Sequence, residues 1–482
     1  MNSSAPLRYF RVLMLLFGLI YGLTSLVNHY QFRTYALDLG AYHHALYDYA
    51  HFQWNDSGIL KTERENLLAD HFDLYLPALS PLAWIFGSYT LLIAQILGLL
   101  LGGWGVFQYF RNQDQQRFLP VYAAAFFWLF FGVFSALAYD YHSNVVAACL
   151  VPWLFLYAEK GRWWKAAGLL LLILVAKENM ALWAAFLGLG FAWLHRKQAP
   201  LRNFGLLSAL ASGLFFVAVV GLIMPAFASS GHYPHFKYST LGDGFSEAIV
   251  YLTTHPIEAF TTLFTNHTGA VDGDFVKLEL HLLLLVSGLP LLIRKPQFLL
   301  MLVPIYFQKL FHDNYHMWGI TGQYSIEYAP VLTIGLFSVV KALPSLKWQK
   351  WLAPSLVLLA AIATFRTMDQ TVMHTDKSRI RFYQARHYQR NYDIEAVREQ
   401  LKNIPPEAVV SVQSPFLPHL AWRDTVYQFP TIQEAEYLVF SSVENPYPME
   451  PEQFTALTGA LMKSSEWEVL HNSEAITLLK RQ

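Results

Sequence analysis

Long apolar segments with short charged connections between them constrain the fold of this chain more than any other feature of its sequence. A helix needs about 20 apolar residues to cross the roughly 30 Å hydrocarbon core of a bilayer. Apolar segments near that length occur at residues 10–27, 81–107, 119–138, 144–158, 163–194, 203–226, 278–293, 297–311, 322–340 and 351–365. The pattern predicts an α-helical polytopic membrane protein with about 11 transmembrane helices.

The composition agrees with a membrane protein and excludes several other classes. Hydrophobic residues make up 54% of the 482 residues and charged residues only 14%. In soluble proteins roughly a quarter of all residues are charged. The formal net charge is +0, so no basic field draws nucleic acid to the protein, and we exclude nucleic acid as a partner. The single cysteine, Cys149, excludes a framework of intramolecular disulfides.

Basic residues occupy alternate connections between the apolar segments and predict the orientation of the chain. The positive-inside rule places such connections in the cytoplasm. They contain Arg8, Arg11, Arg111, Arg117, Lys160, Arg162, Lys165, Arg196, Lys197, Arg294, Lys295, Lys341, Lys347 and Lys350. The amino terminus is therefore predicted to be cytoplasmic, and an odd number of spans leaves the carboxyl terminus outside.

The segment LLILVAKENMALWA places Lys177 and Glu178 inside an apolar stretch. Both flanks of residues 163–194 are basic, so the alternation holds only if this segment starts and ends on the same side. A single helix of that length would measure about 48 Å and would carry the two charges at its centre. We therefore predict two short helices that meet at KEN, with both charges at the outer end. The alternative is a mutual ion pair, or side chains that extend to the membrane surface.

The composition changes near residue 366 and predicts two domains. Residues 1–366 carry the apolar segments, whereas residues 367–482 are mixed and charged. After an initial helical pattern, IPPEAVVSVQS, TVYQFP and AEYLVFSS have the pattern of short strands separated by proline-containing turns. We predict a small soluble α/β domain packed on the outer face of a transmembrane domain.

Polar residues collect in the connections predicted to lie outside. Two of these connections are long, residues 28–80 and residues 227–277, and loops of this length usually have their own structure and often a function. The candidate site residues of this outer side are Asp38, His44, His71, Asp140, His142, Lys177 and Glu178. Together they predict a polar cavity at the outer membrane surface.

Each candidate has a structural alternative. Asp38 is suited to act as a general base, or it caps the helix predicted to start at Ala41. Asp140, His142 and His71 bind a ligand, or they only extend to the membrane interface. A divalent cation is a further option, but the ligand spacing is too loose to name a metal.

Several motifs resemble those of the prokaryotic membrane-protein family called domain of unknown function 2079, in the same order and over nearly the whole chain. They are LDLGAYHHALYDYAHF, ADHFDLYLPALSPLAWI, AYDYHSNVVAACLVPW, AKENMAL, HDNYHMWGITGQYSIEYAPVL and IPPEAVVSVQSPFLPHLAWRDTVYQFP. The chain departs from the family pattern at His44, where Gln is common, and at Asn179, where Asp is common. That family is in turn similar to the GT-C glycosyltransferases, which take a sugar from a polyprenyl-phosphate carrier.

The resemblance implies a function and roles for the candidate residues. It implies a GT-C-like fold in the cytoplasmic (inner) membrane and a catalytic acidic residue in the first outer loop, which corresponds to Asp38. Lys177 would then contact the lipid phosphate, and Glu178, the second candidate catalytic residue, would hold Lys177 or a sugar hydroxyl. Asp140, His142, His71 and His44 would bind sugar or phosphate. The implied partners are a lipid-linked sugar donor and membrane lipids, whereas the cofactor, including a divalent cation, and the oligomeric state are left open.

Two functional hypotheses follow from these residues. The first is an inverting glycosyltransferase that moves a sugar from a polyprenyl-phosphate-linked donor to an acceptor at the outer face of the membrane. The second is a non-enzymatic lipid or solute transporter or an envelope-assembly protein. Transporters often place charged groups at broken helices between repeated halves, and the sequence has such a break at KEN but no visible internal repeat.

Overall fold

The computed structural model describes residues 5–59, 65–111 and 117–482, so residues 60–64 of the predicted outer loop 28–80 lie outside the described part. The helices are α1 Ala5–Tyr30, α2 Ala41–Ala50, α3 Leu67–Asp70, α4 Tyr75–Phe86, α5 Thr90–Arg111, α6 Leu119–Leu129, α7 Phe131–Leu137, α8 Ser143–Ala148, α9 Val151–Glu159, α10 Trp163–Leu174, α11 Glu178–Leu194, α12 Ala199–Ala218, α13 Met224–Phe227, α14 Phe245–Thr254, α15 Pro256–Thr262, α16 Val276–Val286, α17 Gln297–Leu310, α18 Tyr328–Lys341, α19 Leu346–Asp369, α20 Ile394–Lys402, α21 Leu417–Leu420 and α22 Pro451–Leu461. The strands are β1 Val410–Val412, β2 Val426–Gln428, β3 Tyr437–Phe440, β4 Trp467–Asn472 and β5 Thr477–Arg481.

The chain is mostly helical, and several of its helices are apolar enough to cross a membrane. Within the described residues, four continuous helical segments are long and apolar enough to cross a membrane, namely Ala5–Tyr30, Tyr75–Arg111, Ala199–Phe227 and Leu346–Asp369. A fifth results if α6 and α7, which meet at a bend of 44°, form one span. Several other apolar helices are shorter, from 10 to 17 residues. The number of about 11 spans therefore stays a prediction.

Polar contacts gather near the two ends of α5. Near its start, the Gln95 side chain contacts the turn that contains Asp140 and His142. Near its end, the Tyr109 hydroxyl donates to Glu159 at 2.6 Å, and His195 lies 3.3 Å from the same carboxylate. These two positions on α5 are about 21 Å apart at the helical rise per residue. Residues predicted to be outside and residues predicted to be cytoplasmic thus form two separate clusters.

The predicted helix break at KEN is confirmed. Helix α10 ends at Leu174 and α11 begins at Glu178, while Lys177 has extended backbone with φ −164° and ψ 148°. The first outer loop and α8 hold the break in place, because Leu74 N–H donates to Val175 and the Ser143 hydroxyl donates to Ala176. The charged pair therefore lies at the junction of two helices.

Small residues let α11 and α12 pack closely. A Cβ added to Gly205 would lie 2.7 Å from the backbone oxygen of Gly188 and 2.7 Å from the backbone nitrogen of Ala192. Close contacts between small residues are a common means of helix association in membranes, where hydrocarbon offers helices no hydrophobic reason to associate. This contact fixes the helix that begins with Glu178.

The C-terminal segment forms a five-stranded mixed sheet with the strand order β2-β1-β3-β5-β4. Strand β1 pairs in parallel with β2 and β3, whereas β5 is antiparallel to β3 and β4. The three predicted strand patterns form β1, β2 and β3, and the sequence analysis missed β4 and β5. The helical pattern predicted at the start of this segment forms α20, preceded by short turns of 3-10 helix. The division into two domains at residue 366 stays a prediction.

The first outer loop and the C-terminal sheet share one hydrophobic core. Phe32, Ala36, Ala41 and Ile59 pack in the same buried cluster as residues of β1, β2 and α21. Gly58 also forms a parallel bridge with Tyr427 of the edge strand β2. The loop is thereby fixed between the helices and the sheet.

Candidate functional site

Asp38 lies on a tight turn and faces a buried histidine. The turn Ala36–Gly40 is one turn of π-helix immediately before α2. Asp38 Oδ1 lies 3.1 Å from His142 Nε2, and the His142 ring is almost fully buried. Gly40 permits the approach of the C-terminal segment, because a Cβ there would lie 2.6 Å from Leu417. The capping interpretation of Asp38 is wrong, since the start of α2 has no side-chain cap.

Asp140 holds the turn that carries Asp38. Its Oδ2 accepts the backbone N–H of Tyr35 at 2.9 Å, and its Oδ1 lies 3.2 Å from Arg379 Nη2. Burial raises the pKa of Asp140 to about 6, although Arg379 acts in the opposite direction. The interface interpretation of Asp140 is therefore wrong, because its carboxylate is buried and bonded to Tyr35 and Arg379.

Gln95 of α5 fixes the backbone on either side of Tyr141. Its amide nitrogen donates to the Asp140 carbonyl at 3.0 Å, and its amide oxygen accepts the His142 N–H at 2.9 Å. The His142 ring therefore projects from a rigid turn, and its Nδ1 has no hydrogen-bond partner among the residues that the structure describes.

Glu178 is buried and contacts the first outer loop. One of its oxygens lies 3.3 Å from His71 Nδ1, and the other accepts the Phe72 N–H at 3.3 Å. No ion pair joins it to Lys177 within the described chain. The alternative of a mutual ion pair at KEN is therefore wrong.

Lys177 is a cation among carboxylates. It has neither a hydrogen bond nor an ion pair within the described residues, and its side chain is half-buried. Its charge nevertheless acts on three carboxyl groups, those of Asp38, Asp70 and Asp73. At each of them the positive charge of Lys177 acts to lower the carboxyl pKa. The ammonium group is therefore available for an anionic ligand.

Two residues that the sequence analysis did not single out complete this cluster. His235, from the loop after α13, stacks on His71 with ring centroids 4.5 Å apart and lies 3.2 Å from Asp70. Asp73 is buried beside Ser143, and burial raises its pKa to about 7. Asp73 directly precedes an apolar segment in DHFD, which is a signal available in the sequence. The position of His235 depends on the fold and has no local signal.

His44 has a different environment from the other candidates. Its Nε2 lies 3.9 Å from Asp48 Oδ2, one turn further along α2, and both side chains are almost fully buried. Asp48 in turn accepts a hydrogen bond from Asn55 at 2.7 Å. These contacts place His44 in a buried polar group of the outer loop.

A cavity of about 470 Å³ lies beside the Asp38 turn. Its lining includes Tyr35, Tyr139, Tyr324, His316, Lys377 and Arg379. The Asp38 carboxylate and burial raise the pKa of Tyr139. Asp38 therefore acts electrostatically on the cavity wall.

The sequence profile of the family described as predicted membrane protein (DUF2079) matches residues 28–476. The chain belongs to the DUF2079 family. No curated protein matches it in sequence.

The fold of this DUF2079 protein is similar to that of ArnT from Cupriavidus metallidurans, whose crystal structure was solved bound to undecaprenyl phosphate. The TM-score is 0.55 at 11% sequence identity, over 99% of this chain and 98% of that chain. The likeness shows that the DUF2079 chain has the same overall fold. The description of the family and the long apolar helices support the predicted integral membrane protein.

Proposed function

We propose that this protein is a membrane glycosyltransferase that moves a sugar from a polyprenyl-phosphate-linked donor to an acceptor hydroxyl at the outer face of the cytoplasmic membrane. The observation that carries the proposal is the Asp38–His142 pair, in which His142 stacks on Tyr139 of the cavity wall and Asp38 lies within electrostatic range of Lys177, a cation with no hydrogen bond or ion pair among the described residues. The GT-C resemblance of the motifs and the likeness to a protein that binds undecaprenyl phosphate support it.

Asp38 is the proposed general base. Burial acts to raise its pKa, but His142, Lys177 and His71 outweigh burial, and the pKa lies below its ordinary value. Burial lowers the pKa of His142, against the opposing effect of Asp38. Near pH 7 the pair is then a carboxylate and a neutral imidazole, with Nε2–H donating to Oδ1. The other carboxylate oxygen is left to take a proton.

The reaction forms one bond and breaks another at the anomeric carbon. The acceptor oxygen attacks this carbon while its proton passes to Asp38. The bond from the anomeric carbon to the phosphate oxygen breaks, its electron pair stays on the lipid phosphate, and the configuration inverts. Lys177 stabilises the charge of the leaving phosphate, because a fixed cation in a site of low dielectric is effective where negative charge develops. Glu178 orients His71.

Asp38→Asn tests the base directly. The purified full chain in lipid nanodiscs is incubated with undecaprenyl-phosphate-linked sugars and a membrane extract as acceptor source, and released undecaprenyl phosphate is quantified. Loss of a general base costs about 10²- to 10⁴-fold in rate. Asp243→Asn, an exposed aspartate of another outer loop, is the matched control and should retain the full rate. Unchanged release by Asp38→Asn would refute the assignment.

The helix break at KEN also favours a second candidate, a transporter. Transporters use charged groups at interrupted helices and open alternately to both sides. A membrane-impermeant maleimide applied to Lys177→Cys separates the two functions. Labelling from the outer side alone supports the enzyme, whereas labelling from both sides supports transport.

A further inference from the structure

Two histidines and an aspartate from separate parts of the chain converge beside the candidate site. Asp70 ends α3, His71 follows it, and His235 comes from the loop between α13 and α14. Asp70 Oδ1 lies 3.2 Å from His235 Nε2, and Asp70 Oδ2 lies 3.7 Å from His71 Nε2. One ligand atom from each residue lies within 4.8 Å of the other two.

The spacing of these atoms fits a small divalent ion. Two ligands bound tetrahedrally at about 2.1 Å from a zinc ion lie about 3.4 Å apart. Each imidazole lies near this distance from one oxygen of the Asp70 carboxylate: His235 Nε2 is 3.2 Å from Oδ1, and His71 Nε2 is 3.7 Å from Oδ2. Two imidazoles and one carboxylate form a ligand set of catalytic zinc sites, which leave the fourth position open.

The hydrogen bond on the far side of His71 orients its ring for a metal. His71 Nδ1 lies 3.3 Å from Glu178, so Nδ1–H donates to the carboxylate and Nε2, which faces Asp70, carries a lone pair. Histidines that bind metals commonly donate their other ring N–H to a carboxylate or carbonyl in this way, which fixes tautomer and orientation. The buried Glu178 thereby has a defined partner.

His235 requires one rearrangement. Its Nε2 also lies 2.7 Å from the backbone oxygen of Asp70, which indicates a proton on Nε2 in the absence of metal. Metal binding replaces this proton, since ligating imidazole is neutral and metal uptake releases protons. The loop that carries His235 is solvent-accessible on one side, as the Asp70, His71 and His235 side chains are 33%, 18% and 28% exposed. An ion therefore has a path of entry.

The charge balance also favours a cation. Lys177 acts on Asp70 and opposes a positive ion. Against this single cation stand the carboxylates of Asp70 and Glu178 and, further away, Asp38. The acidic groups outnumber the lysine, so the field at the site remains attractive to a divalent ion.

We propose that Asp70, His71 and His235 bind a divalent transition-metal ion, with zinc as the ion that the ligand set favours and Glu178 as the residue that orients His71. The site requires only these contacts, so it is independent of glycosyl transfer. Because the charge of Lys177 acts on Asp70, an ion bound there would lie near the proposed phosphate side of the candidate site.

Metal analysis of the full chain tests the proposal without an activity assay. The protein is purified in detergent through a tag without histidines, stripped with a chelator, loaded with zinc sulfate and desalted. We expect one zinc ion per chain in the wild type and near none in Asp70→Asn or His235→Gln. His232→Gln, an exposed histidine three residues before His235, is the matched control and should keep the metal.

Two further measurements separate loss of the site from loss of the fold. Zinc should raise the melting temperature of the wild type and of His232→Gln but not of His235→Gln, provided that all three elute as single species. Glu178→Gln should still bind zinc, with about 10- to 100-fold lower affinity. Equal zinc content in the wild type and in both ligand variants, or no zinc in any of them, would overturn the proposal.

Discussion

Single residues of the candidate site depend on each other for their charge. Asp38, His142, Lys177 and His71 form one electrostatic group. In this group the Asp38 carboxylate has one lysine and two imidazoles as neighbours. Lys177 differs from the rest because it has no hydrogen bond or ion pair within the described chain. A substitution at any of these positions should therefore change the ligand affinity or the protonation of its neighbours.

Lys177→Gln should weaken the binding of undecaprenyl phosphate. A hydrogen bond to a charged group contributes about 1.5–3 kcal/mol, which corresponds to roughly a 10- to 150-fold change in Kd. The measurement is titration of the nanodisc-embedded protein with undecaprenyl phosphate. Lys237→Gln removes an exposed lysine of another outer loop and should leave Kd unchanged. Equal Kd values for the wild type and Lys177→Gln would exclude Lys177 as the phosphate ligand.

The rate of sugar transfer should be constant near neutral pH and fall in acid. The pKa of Asp38 lies below 3.8, so this carboxyl stays ionised across the measured range. The pKa of His142 lies below 6.5. As the pH falls through the pKa of His142, this residue gains a proton. The resulting imidazolium makes Asp38 a weaker base.

His142→Asn provides the control for this pH dependence. Asparagine can donate a hydrogen bond to Asp38 but does not titrate. Initial rates should therefore fall in acid, below the ordinary titration range of imidazole, in the wild type and show a flatter profile in the variant. An identical acid limb in both proteins would assign the titration to another group.

Among the secondary-structure elements, the helix pair α11 and α12 sets the position of the charged break. Lys177 and Glu178 stand at the start of α11, and the rest of this helix is apolar. Its close contact with α12 depends on glycine and alanine at the crossing. Separation of these helices would move Glu178 away from His71.

Gly205→Val should destabilise the protein, whereas Gly213→Val on the same helix should not. A Cβ at Gly205 meets backbone atoms of α11 at 2.7 Å, whereas one at Gly213 has nothing within 4 Å. Overpacking of this kind costs about 1–3 kcal/mol. The comparison is the melting temperature of the two variants in detergent. Similar melting temperatures would show that the contact between α11 and α12 contributes little to stability.

At the scale of the whole molecule, the outer loop joins the helices to the C-terminal sheet. Arg33 is buried and donates to the carbonyls of His387 and Gln389. Arg379 reaches back from the C-terminal segment to Asp140. The sheet is thus connected to the turn that carries Asp38, and its packing contributes to the geometry of the site.

A disulfide between Gly58→Cys and Tyr427→Cys should form readily under mild oxidation. These positions pair in a parallel bridge, and neighbouring strands lie about 4.8 Å apart, within the Cα separation that disulfides require. The one native cysteine, Cys149, is buried and should not interfere. Thiol counting with a maleimide measures the product.

The matched control joins Gly58→Cys to Val469→Cys. Val469 is exposed on β4, the edge strand on the opposite side of the sheet. This pair should keep both thiols free. Equal oxidation of the two pairs would contradict the placement of the loop on β2.

The sequence by itself determined the local features of this protein. Apolar length and the scarcity of charge indicated a helical membrane protein, the two basic flanks placed a helix break at KEN, and strand patterns located β1, β2 and β3. Asp38 and His142 were recognised as candidates because charged and imidazole groups next to apolar segments are costly without a function or a partner. All these signals depend on neighbouring residues alone.

Only the tertiary structure decided which of these residues meet. Asp38 and His142 are 104 positions apart, and His71 and Glu178 are 107 apart. The structure also brought His235 to His71 and Arg379 to Asp140. Contacts between distant segments depend on how the helices pack and where the loops cross them, and the order of residues in the sequence carries no local trace of that packing.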